Sequence, residues 1–79
     1  MATKLNPGKF DCYANAEDDE PMFVLLARDR TAPTIVREWV ERRVEEAARG
    51  GKVTEDAKLA EARACADAME TWASTLYKP

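Results

Sequence analysis

Gly50 and Gly51 stand side by side in the second half of the chain, and on both sides of them apolar residues recur every three or four positions. Before the pair, Ile35, Val36, Trp39, Val40, Val44, Ala47 and Ala48 make one stripe. After it, Leu59, Ala62, Cys65, Ala66, Met69, Trp72, Ala73 and Leu76 make a second. That spacing is one face of an α-helix. A glycine directly behind such a run stops the helix, because it enters the left-handed conformation that closes a C-terminus. The short connection predicts antiparallel neighbours, so the expected class is all-α: a helical hairpin over about 33–49 and 54–76.

Start signals agree with these limits. Thr31 is the expected cap of the first long helix, with Pro33 in its first turn. Thr54 is the expected cap of the second, with Glu55 and Asp56 against the positive end of its dipole. Glu38 with Arg42, and Glu45 with Arg49, are i,i+4 pairs in the favoured acid-first order. Alanine, the strongest helix former, is frequent in the second segment and permits close approach of a neighbour.

The first third of the chain is less regular. Residues 1–18 read as an irregular segment with a turn cluster at Asn6, Pro7 and Gly8. Glu17, Asp18, Asp19 and Glu20 form an acidic run ahead of Pro21, which suits a helix start. Met22, Phe23, Leu25 and Leu26 then form a short apolar face. A short helix or a strand over about 21–28 is predicted; the start signals favour helix, and Phe23 and Val24 favour strand.

Seventy-nine residues make one domain at most. A core of that size rarely supplies more than about 3–5 kcal/mol. Trp39 and Trp72 lie on the two apolar stripes and are expected either in the core or as interface anchors. Two long helices and one short segment leave apolar area uncovered, which predicts a homo-oligomer.

A net charge of −3 argues against direct nucleic-acid binding. The longest apolar run, Met22 to Ala27, is far short of a membrane span, and no export signal opens the chain. The two cysteines, Cys12 and Cys65, are expected as reduced thiols of a soluble cytoplasmic protein.

Histidine is absent, which removes the commonest general base and the Ser-His-Asp and Cys-His arrangements. No CxxC, phosphate-binding glycine loop or EF-hand pattern occurs. The expectation is a binding protein and not an enzyme, with no catalytic residue, cofactor or metal. Its candidate contact residues are of two signs. Arg28, Arg30 and Arg37, the first two near the start of the helix at Pro33, suit an anionic ligand such as a nucleotide. Asp19 and Glu20 suit a protein partner with a basic surface, and Trp39 is the candidate apolar anchor.

The chain also resembles a group of short proteins encoded by tailed bacteriophages and prophages. The resemblance rests on Asp19-Glu20-Pro21, Phe23-Val24-Leu25, Asp29, Ala32-Pro33, Trp39 and the string from Asp67 to Trp72. It implies an accessory protein that acts by binding something in the host. One mode is contact inhibition of a defence protein, as anti-CRISPR proteins do; another is sequestration of a signalling nucleotide. A structural or assembly role in the phage is the alternative.

Overall fold

In a computed structural model of the chain, residues 3–76 are described, with only the backbone of Leu76. The place of Leu76 on the second apolar stripe therefore lies outside the described residues. All regular structure among the described residues is helical: α1 (Cys12–Asn15), α2 (Ala32–Ala48) and α3 (Asp56–Leu76).

Helix α2 ends as the glycine pair requires. The Gly51 N–H donates to Glu46 O at 2.9 Å and the Gly50 N–H to Ala47 O at 3.1 Å, the double closure of a Schellman motif. Gly50 takes φ +85°, open only to a residue without a Cβ at little cost.

The starts of both long helices differ in detail from the expected caps. Thr31 occupies the N-cap position of α2, but its hydroxyl makes no cap hydrogen bond. It donates instead to Asp29 Oδ1 at 2.7 Å, and the Thr31 N–H donates to the same oxygen at 2.9 Å. The short Asp29 side chain turns the backbone into α2 and holds the threonine hydroxyl as a donor, away from the cap of the helix. Before α3, the Glu55 carbonyl accepts from the N–H groups of Lys58 and Leu59, so the helix opens one position later than Thr54. Thr54 is drawn away by α2: its hydroxyl accepts from Arg43 Nε at 2.8 Å, and Arg43 Nη2 also reaches Lys52 O.

Helices α2 and α3 pack against each other along a seam of modest side chains. Ala32, Pro33 and Val40 of α2 and Leu59 and Ala66 of α3 are buried, and no bulky side chain among the described residues is fully enclosed. Alanine at the seam draws the two backbones together, which leaves no room there for an indole. Trp39 and Trp72 consequently sit at the flanks, 38% and 47% exposed, and neither is core as the stripes had allowed. Arg37 fastens the outside of the seam, reaching Asp67 at 2.7 Å and Glu70 at 2.5 Å.

The short helix or strand expected over about 21–28 does not form. Residues 21–26 have no regular structure, and the chain then turns into α2. A strand needs a partner ladder, and no strand exists among the described residues to supply one. A helix of one or two turns is too short to repay nucleation unless one face packs well. Here the side chains divide instead: Phe23 turns toward the first half of α3, Leu26 toward its second half, and Leu25 between them. The four-residue α1, capped by Asp11 Oδ1 accepting from the Tyr13 N–H, falls inside the segment read as irregular.

The molecule is open for its size. Its Cα radius of gyration is 13.7 Å, against about 12 Å expected of a compact chain of this length. Its accessible surface is 6564 Å², whereas a folded monomer of this mass exposes about 4,800 Å².

Candidate partner-binding grooves

The irregular run from Phe23 to Arg28 crosses α3 and leaves an apolar groove on each side. The larger, about 830 Å³, lies between Leu25, Leu26 and the second half of α3, where Met69 and Trp72 form its floor. Two cationic side chains, Lys4 and Arg28, stand on its lining. Neither makes an ion pair among the described residues. The smaller, about 450 Å³, is walled by Phe10, Phe23, Ile35 and Trp39, with Cys12 and Cys65 both on its surface. Lys58 Nζ stands 6.0 Å from the Trp39 ring centroid and closes one edge through a cation–π contact. Leu25 and Cys65 belong to both grooves, so the two form one apolar belt along α3.

The predicted contact residues fall in different places. Trp39 lines the smaller groove and Arg28 the larger. Arg30 is exposed in the turn before α2. Arg37 does not join them, since its guanidinium is occupied by Glu70 and Asp67. Those hydrogen bonds, led by Glu70, raise its pKa above the usual guanidinium value and hold the Glu70 carboxyl below the ordinary carboxylate range. The entrance to α2 is occupied too. The Asp29 carboxylate takes the Thr31 N–H and hydroxyl, and these bonds lower its own pKa. The arginine trio is thus divided between a groove, a turn and a helix clasp, and an internal carboxylate already stands where a bound anion was expected.

Asp19 and Glu20 are exposed. Glu20 Oε1 accepts the Glu17 N–H at 3.0 Å, which folds the acidic run into a tight local turn. Reasoning from sequence missed Met69 and Leu26 as groove walls, although both lie on apolar patterns, because the pattern alone does not say which apolar residues the chain leaves uncovered. For Lys4 the sequence carries no signal.

Among the described residues no cluster of three or more acidic or thiol side chains is placed to hold a metal. None of the described helices is long and apolar enough to cross a membrane. No family model, curated protein or solved structure matches the chain.

Proposed function

We propose that this is a small non-enzymatic phage accessory protein that acts in the host cytoplasm by binding a host target, most consistently one of the proteins of antiviral defence. The observation that carries the binding role is the apolar belt along α3, left open by a core of small side chains. The viral setting and the defence target are inferred from the resemblance in sequence. In this reading α2 and α3 form an antiparallel hairpin that serves as the rigid base, and the belt along α3 is the contact surface for the target. Contact inhibition of a protein is favoured over a nucleotide sponge, because Arg37 is committed to Asp67 and Glu70.

Self-association belongs to the same reading, since the uncovered surface is larger than a lone domain of this mass retains. It also keeps a phage assembly role in view; recovery of the protein in purified particles would identify that role.

The experiment is affinity capture from host lysate with the wild-type chain and with Trp72→Glu, paired with calorimetry against cyclic nucleotides. A specific host protein retained by the wild type and lost by Trp72→Glu, with no heat from any nucleotide, is the expected result. Equal capture by both chains removes the belt as the binding surface, and heat from a nucleotide replaces the inhibitor with a sponge.

A further inference from the structure

The run Glu20-Pro21-Met22-Phe23-Val24-Leu25-Leu26-Ala27-Arg28 has three properties in one place. It is apolar and exposed, with Phe23 at 86% and Val24 at 71%. Its backbone is free of intramolecular partners: among the described residues no N–H from Met22 to Arg28, and no carbonyl from Glu20 to Leu25, takes part in a hydrogen bond within the chain. It carries an acid at one end and a base at the other, and Arg28 has no ion pair among the described residues. An open, apolar backbone edge is a template for strand addition.

We infer that a second copy of this chain occupies that edge, the two runs pairing antiparallel about a two-fold axis at Val24. This rests on the self-association in the reading above and names its surface. The register follows from charge. With Val24 opposite Val24, Met22 faces Leu26, Phe23 faces Leu25, and Glu20 of each copy faces Arg28 of the other. The run is therefore self-complementary in the way a two-fold contact requires. Proline agrees with the register. Pro21 has no N–H, so its pair with Ala27 must be a non-hydrogen-bonded one. Alternation along the ladder then makes Val24–Val24 and Met22–Leu26 the hydrogen-bonded pairs, which supplies partners for the free N–H groups of Met22, Val24 and Leu26. Glu20, whose N–H is held by Glu17 O, and Arg28, in the turn closed by the Asp29 N–H on Leu26 O, meet beyond the ladder through their side chains. The surface available is sufficient as well. The chain's 6564 Å² exceeds the monomer expectation by more than the roughly 800 Å² that each partner contributes to a standard interface.

Sedimentation equilibrium of the full chain at high micromolar concentration tests the inference. The wild type is expected to sediment as a dimer. Glu20→Arg and Arg28→Glu, each creating two like-charge contacts, should raise the dissociation constant more than about tenfold. The double variant Glu20→Arg/Arg28→Glu should return it toward the wild-type value. Val24→Pro, which removes the axial N–H, should give monomers with unchanged helical circular dichroism, whereas Val24→Ala should still dimerise. A monomeric wild type overturns self-association as a whole. A dimer indifferent to both charge reversals, or a double variant that stays monomeric, overturns this pairing and leaves self-association standing.

Discussion

The α2–α3 pair and the segment from residue 3 to residue 31 both carry apolar side chains and use them in opposite ways. In the pair, the side chains that vanish from solvent are small: Ala32, Val40, Leu59 and Ala66. Helical backbones satisfy their own polar groups, so even a thin seam suffices to hold them. Ion pairs from Arg37 close its outer edge. In the N-terminal segment the apolar residues are larger, and Leu5, Tyr13, Phe23 and Val24 stay mostly in solvent. Its order comes from local turns, such as the Asp11 cap and the Glu17–Glu20 turn. Bulk of side chain does not decide what is core here. What decides is place on the seam between the two helices: Ala32 and Ala66 lie on it and are buried, while Trp39 and Trp72, on the same helices, stand at its flanks.

The strongest way to break this contrast is to truncate one apolar residue in each region. Leu59→Ala removes the largest buried side chain of the seam, and its cost should fall at about 2–5 kcal/mol. That is comparable with the whole stability expected of so small a core, so the variant should be largely unfolded by far-ultraviolet circular dichroism. Leu5→Ala, in the open segment, should change stability by no more than about 0.5 kcal/mol. If the two variants melted alike, the division into a stabilising pair and an added segment would be wrong.

The two long helices were legible because period, glycine pair and proline all pointed the same way. Each signal acts within a few residues, and the resulting helices lie within two residues of the predicted limits. The N-terminal third was not legible to the same degree. Met22 to Leu26 satisfies the pattern of a short helix and of a strand, and the pattern carries no information on whether a partner is within reach. The caps failed for a related reason. Thr31 and Thr54 are good caps by type, but Asp29 lies two residues from the first and Arg43 packs against the second, and both competitors won. The division of Arg28, Arg30 and Arg37 was hidden in the same way, since Arg37 is claimed by acids thirty or more residues away.

A medium effect isolates the boundary between the pair's two halves. A Cβ built on Gly50 meets nothing within 4 Å, so Gly50→Ala introduces no clash and tests the backbone alone. At φ +85° an L-residue is disfavoured, at a cost of about 1–2 kcal/mol. Chemical denaturation should show that loss with an unchanged slope. Full stability in the variant would mean that α2 ends without the left-handed turn.

The smallest effect concerns the clasp at the edge of the seam. Arg37 holds Glu70 below the ordinary carboxylate range, chiefly by a hydrogen bond, and Thr31 does the same for Asp29. A carboxyl whose pKa is lowered by folding adds stability at pH above its unfolded value, and that contribution disappears as the pH falls through the folded value. Wild-type melting temperature should thus decline once the pH drops below about 4.3, the unfolded value of a glutamate. Arg37→Met releases Glu70 and leaves Asp29 untouched. The variant should melt below the wild type at neutral pH, the gap should narrow in acid as Glu70 becomes protonated in both chains, and a smaller acid decline due to Asp29 should persist. A gap that stays constant from neutral to acid pH would assign the role of Arg37 to the packing of its aliphatic stem, and the clasp would then be apolar where its geometry is ionic.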